Sequence, residues 1–173
     1  MKKYKPDEII LLADKITNCF YAWNQYLYLM PPQAAFRSEG SHREVEFIRM
    51  QFYREKFMQD LSELYTTFHL HQDNELRKKF KFSEPQILKL RDIRHNITHG
   101  AKNLGDVIKT QEEFAAMSNG EDLIRDFVEM IKHIRVLLKM INLDHELIRR
   151  LKEILTLYPS NFIHESIRKE ILE

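Results

Sequence analysis

A chain of 173 residues with a net charge of +1 has room for one well-buried core. It lacks the broad basic surface that by itself marks a nucleic-acid-binding protein. Hydrophobic residues make up 43% and charged residues 31%, which excludes a disordered chain, and four glycines with five prolines are too few for the turns of a β-sandwich. The single cysteine, Cys19, excludes an internal disulfide and a cysteine-based zinc site. Met1-Lys2-Lys3-Tyr4-Lys5-Pro6-Asp7-Glu8 starts basic and turns acidic without a signal peptide's apolar run. No apolar stretch reaches membrane-spanning length, so a cytoplasmic protein without a membrane partner is expected.

Leu, Ile, Glu, Lys, Arg and Met dominate, and that composition favours helix. The first predicted helix runs from about Pro6 to Met30, with proline in its first turn and Asp7 and Glu8 where the dipole favours negative charge. Ile9, Leu12, Ile16, Phe20, Trp23, Leu27 and Met30 form one stripe along it, and Cys19 borders the stripe as a packed thiol. Pro31-Pro32 stops this helix, and a loop continues through Gly40.

Ser41-His42-Arg43-Glu44 has capping-box spacing and starts a second helix. Its apolar face is Val45, Ile48, Phe52, Phe57, Leu61, Leu64 and Phe68, with Tyr53 and Tyr65 alongside. The step of five from Phe52 to Phe57 marks a kink or a change of partner. His69 to Asn74 reads as a helix end and turn, and Glu75 to Phe82 as a basic segment that is a short helix or a loop. Ser83-Glu84-Pro85-Gln86 is a strong helix start, and Ile87, Leu90, Ile93 and Ile97 carry the inner face of the helix that follows. Gly100 is its candidate C-terminal cap.

Residues 101–120 are weakly patterned, with one or two helical turns from Thr110 through Met117. Ile124, Phe127, Ile131, Ile134, Leu138 and Ile141 then alternate three- and four-residue steps, a core-facing row that a partner chain could also use. Asn142-Leu143-Asp144 breaks the helix, with Asp144 as candidate cap. Leu147, Leu151, Ile154 and Leu155 define another helix ending near Tyr158-Pro159. Ser160 caps a short final helix with Ile163, Ile167 and Ile171 inward. Short loops between successive helices imply an all-α, up-and-down bundle of about five main helices with a short C-terminal helical extension.

Chemistry concentrates in Leu90-Arg91-Asp92-Ile93-Arg94-His95-Asn96-Ile97-Thr98-His99-Gly100, which gathers two arginines, two histidines and an asparagine. Arginine is a permanent cation that grips phosphate with parallel hydrogen bonds, and histidine exchanges a proton near neutrality. Phosphodiester cleavage asks for that combination. In a continuing helix Arg94 and His99 sit about 140° apart, so they converge only if the helix ends or tightens near Thr98.

Arg94-His95-Asn96-Ile97-Thr98-His99 resembles the Arg-x4–6-His motif of the HEPN superfamily, with His95 in the place of the polar residue that follows the arginine. The motif falls at the end of a helix in an all-α bundle, as in that family. The likeness in architecture extends over about residues 6–142, leaving 143–173 as a helical extension of a single domain. The resemblance implies a metal-independent endoribonuclease without a cofactor, working as a homodimer in toxin–antitoxin, phage-defence or RNA-processing systems. It implies that His99 transfers protons, that Arg94 holds the scissile phosphate, and that His95 orients the site or binds the phosphate. Asn96 and Arg91 are further substrate-binding candidates, RNA is the implied substrate, and an antitoxin protein is an implied partner.

Three other readings stand beside it. His95 and His99 have the spacing of two zinc ligands on one helix, with His69, His71 or Asp73 as further donors. Asn96 stands where a zinc protease needs Glu as general base. Second, Arg and His are favourable near a helix C-terminus through the dipole alone, as a solvated helix end. Third, the row from Ile124 to Ile141 suits a non-catalytic interaction module, one that binds RNA, nucleotide or protein. Asn96-Ile97-Thr98 matches a glycosylation sequon, which carries no meaning without secretion.

Overall fold

The structure, a computed structural model, describes residues 4–29, 42–70, 74–95, 120–157 and 165–173. These are all-α: α1 Pro6–Leu29, α2 His42–Leu70, α3 Asn74–Arg77, α4 Glu84–His95, α5 Gly120–Lys139, α6 Asp144–Leu157 and α7 Glu165–Leu172. The expected positions at Met30, Ile97 and Ile163, the caps at Ser41, Gly100 and Ser160, and both long loops lie outside the described residues.

α1 begins as its sequence dictates. Lys5 is the cap, its N–H donating to the Glu8 carboxylate at 2.8 Å while Ile9 N–H returns to the Lys5 carbonyl at 3.1 Å. The predicted stripe is buried from Ile9 through Trp23, whereas Leu27 is half-buried and Leu29 takes the inward place. Cys19 is fully buried, and burial pushes its thiol well above the ordinary range. Lys15 pairs with Glu63 at 3.0 Å, and Tyr21 meets Tyr53 edge-on at 6.1 Å. These pairs run in opposite order along the two helices, so α1 and α2 are antiparallel.

α2 corrects its expected face. Phe57, Leu61, Leu64 and Phe68 are buried, but Val45, Ile48 and Phe52 are 49%, 65% and 60% exposed. A step of five residues rotates a helical row by about 140°, so Phe52 and the row before it turn away from the core that Phe57 faces. Tyr53, four residues before Phe57, packs against that core. Phe47 joins the exposed group.

Trp23 ties three helices together. It stacks on Phe57 at 6.2 Å and meets Phe127 of α5 edge-on at 6.3 Å, while Phe20 stacks on Phe127 at 6.3 Å. Such aromatic pairs add about 0.5–1.5 kcal/mol each beyond the area they bury. The predicted row on α5 faces this core: Phe127, Ile131, Ile134 and Leu138 are buried, with Ile124 and Ile141 packed at its edge. His133, half-buried, has its ring edge-on to Phe68 and to Tyr4.

α5 ends in a left-handed turn. Leu143 N–H donates to the Leu138 carbonyl at 3.0 Å and Asn142 N–H to that of Lys139 at 3.2 Å, with Asn142 at φ 58°. This is the Schellman pattern, and asparagine is the residue that most readily replaces glycine in it. Leu143, whose carbonyl accepts from Glu146 N–H at 3.2 Å, holds the place expected of Asp144, which is instead the first residue of α6.

Leu147, Leu151, Ile154 and Leu155 of α6 and Ile171 of α7 belong to the same continuous core as α1, α2 and α5. Arg150 bonds Asp14 of α1 at 2.6 Å. Arg135 of α5, itself buried, donates to the main-chain oxygens of Ile171 at 3.2 Å and Glu173 at 2.9 Å, a guanidinium fastening the end of α7. No helix among the described residues is long and apolar enough to cross a membrane.

Candidate functional site

α4 carries the described part of the candidate stretch, and its position is fixed from its start. Ser83 is the cap: its N–H and its hydroxyl both donate to the Gln86 side-chain oxygen, at 2.9 and 2.7 Å. Ile87 N–H donates to the Ser83 carbonyl at 3.0 Å. Ile87 and Leu90 are buried, so the inner face points into the core as the sequence predicts.

A residue absent from the sequence reading anchors this start. Asp126 of α5 is fully buried and accepts three hydrogen bonds: from Lys81 N–H at 2.5 Å, from Phe82 N–H at 3.0 Å and from the Tyr65 hydroxyl at 2.7 Å. Burial raises its carboxyl above the ordinary aspartate range, and the three donors pull it partly back. Burial and the neighbouring carboxylate both raise the Tyr65 phenol. Phe82, just ahead of the cap, stacks on Tyr65 at 5.6 Å. The connector into α4 is therefore clamped between α2 and α5. Asp126 stands in sequence on the inward row of Leu123, Met130 and Leu137, and a carboxylate within an apolar row is the signal that marks it.

At the other end, Arg91 and His95 are exposed, and Arg91 lies 3.8 Å from its neighbour Asp92. Arg94 is in the last turn of α4 as described. Asn96 and His99 lie outside the described residues, as do His71 and Asp73 of the alternative metal set. Among the described residues no group of three or more His, Cys, Asp or Glu side chains is arranged to hold a metal ion. Helical geometry puts Glu84, Arg91 and His95 within about 20° of one line along α4, over roughly 17 Å.

The expected basic segment resolves into both of its alternatives: a single turn of helix, α3, followed by a turn and an irregular connector. Between α3 and α4 a cleft of about 470 Å³ is lined by Arg77, Lys78, Phe80, Phe82, Glu84 and Ile87, with others. It lies at the start of α4, away from Arg91 and His95.

No protein-family model, no curated protein and no solved structure matches the chain.

Proposed function

We propose that the chain is a HEPN-type endoribonuclease that cuts RNA without a metal. The observation that carries this reading is the placement of the Arg91–His95 end of the stretch. It sits on the solvent-facing end of a helix whose start is clamped in an all-α core by Asp126 and Ser83. A polar cluster borne on a rigid element suits preorganised chemistry.

In the proposed reaction a base, with His99 as the proton-transfer residue, takes the proton of a ribose 2′-hydroxyl. The O2′–P bond forms, the P–O5′ bond breaks, and the leaving O5′ receives a proton. Arg94 stabilises the charge gathering on the phosphoryl oxygens, His95 orients the site or binds the phosphate, and Asn96 and Arg91 hold the flanking strand. The products are a 2′,3′-cyclic phosphate and a 5′-hydroxyl. The same resemblance suggests a toxin or phage-defence setting with a neutralising protein partner.

Dimerisation belongs to this proposal. Val45, Ile48 and Phe52 form an exposed apolar row on α2, a surface that a monomer has little use for. α4 packs against α2, the helix that bears this row. Pairing two copies through that row is the arrangement we assign to the dimer in which two motifs meet.

The test is cleavage of labelled RNA in EDTA by the wild type, His99→Ala and Arg94→Ala, with folding checked by circular dichroism. Cutting by the wild type that both substitutions abolish supports the reading. No cutting with or without added metal replaces it with a binding module, and cutting only with added zinc moves the case to His95 and His99 as ligands.

A further inference from the structure

The connector Arg77-Lys78-Lys79-Phe80-Lys81-Phe82 interleaves four cations with two aromatic rings. Its main chain is pinned where Lys81 and Phe82 donate to Asp126, so its side chains project from a fixed support. The two rings have different environments. Phe82 is buried against Tyr65, whereas Phe80 is only half-buried, meets Tyr65 edge-on at 5.1 Å and lines the cleft.

The cations divide as well. Arg77 pairs with Glu84 at 3.4 Å, which offsets the carboxylate at the cleft, and Lys79 pairs with Glu129 at 3.4 Å. Lys78, which lines the cleft, and Lys81 are exposed, and among the described residues neither is paired with a carboxylate. A concavity of about 470 Å³ falls in the size range of a small-ligand site. A half-buried ring that opens onto a cleft between ammonium groups is a pairing that holds single-stranded nucleic acid, by base stacking and phosphate contact without sequence readout.

We propose that the α3–α4 cleft is an anchoring site for single-stranded RNA. Lys78 and Lys81 contact phosphates, Phe80 stacks a base, and the strand continues along the line of Glu84, Arg91 and His95. The inference rests on the ribonuclease reading for the fate of the strand at the far end of α4. The anchoring itself does not require cleavage.

Binding is measured by fluorescence anisotropy with a labelled mixed-sequence oligoribonucleotide carrying 2′-O-methyl riboses, which cannot undergo 2′-hydroxyl attack. The full chain is compared with Lys78→Gln/Lys81→Gln and Phe80→Leu, each checked for unchanged helicity and unfolding midpoint. The lysine pair is expected to weaken binding about tenfold at low salt and to lower the slope of log K against log salt by about 1.4, two contacts at roughly 0.7 each. Phe80→Leu keeps an apolar side chain but removes the stacking ring, and is expected to weaken binding at every salt concentration without changing the slope.

Affinity unchanged by the lysine pair overturns the proposal, as does a wild type that fails to bind the oligonucleotide at low salt. Binding lost in the lysine pair, together with no cutting of ordinary RNA by the wild type, keeps the anchoring site and removes the nuclease reading. Cutting of ordinary RNA with KM unchanged in the lysine pair removes the anchoring site and keeps the nuclease reading.

Discussion

The Tyr65 hydroxyl donates to Oδ2 of Asp126 at 2.7 Å, joining α2 to α5 inside the core. The same carboxylate receives the N–H groups of Lys81 and Phe82, so one side chain satisfies donors from α2 and from the approach to α4. An amide cannot replace it: the NH2 of Asp126→Asn would face at least one of those donors. Each buried donor left unpaired costs about 1–3 kcal/mol, and urea denaturation of Asp126→Asn is expected to show at least one such loss. Hydrogen exchange at Lys81 and Phe82 should accelerate in the same variant. Tyr65→Phe removes a single donor and is expected to cost about 1 kcal/mol.

The same residue sets a pH dependence. Burial first, against the opposing hydrogen bonds, places the folded-state pKa of Asp126 above its unfolded value. The stability linked to this group is fully present below the ordinary aspartate range and is lost as pH rises through the raised value. Glu146 behaves in the opposite sense. The Arg149 hydrogen bond, with Arg150 beside it, holds its carboxyl down to about 2, so its contribution is present above the ordinary glutamate range and disappears as pH falls toward 2. In thermal melts from pH 7 downward, the gap between wild type and Asp126→Asn should widen toward the ordinary aspartate range. The gap between wild type and Glu146→Gln should close in acid.

Asn142 stands at φ 58° in the turn between α5 and α6. Asn142→Gly removes the side-chain crowding there and is expected to be neutral or slightly stabilising. A β-branched residue meets the full left-handed penalty, so Asn142→Val should cost about 1–2 kcal/mol, read from chemical denaturation.

If the exposed row on α2 pairs two copies, a charge in its middle separates them. Ile48→Glu and Phe52→Glu are expected to sediment as monomers where the wild type sediments as a dimer, with unchanged helicity. A wild type that remains monomeric at micromolar concentrations would remove the dimer from the proposal.

Much of the fold was legible because periodicity reports which face of a helix is covered. The four apolar positions read on α6 are all buried, and the serine, proline and glutamine at 83–86 form the start they spell. Periodicity does not report what does the covering. Val45, Ile48 and Phe52 continue the helical pattern of α2, yet the step of five turns them away from the core of this chain. Asp126 carries a local mark, a carboxylate on an inward apolar row, but its role depends on donors 44 to 61 residues away, which no local spacing encodes. Of the helix that carries the candidate stretch, the sequence predicted the start and the buried Ile87 and Leu90, and Arg91 and His95 lie exposed at its far end.

Cys19 is the single thiol of the chain, fully buried at the α1–α2 contact, with its sulfur 3.9 Å from the Phe57 carbonyl oxygen. Thiol reagents attack the thiolate, and here both access and ionisation are suppressed. Labelling with a coloured disulfide such as DTNB is therefore expected to proceed only through opening of the helix pair. A Cys19→Ala control should give no signal. The protein thus contains an intrinsic clock for its own transient unfolding, readable in the native buffer without an added probe site.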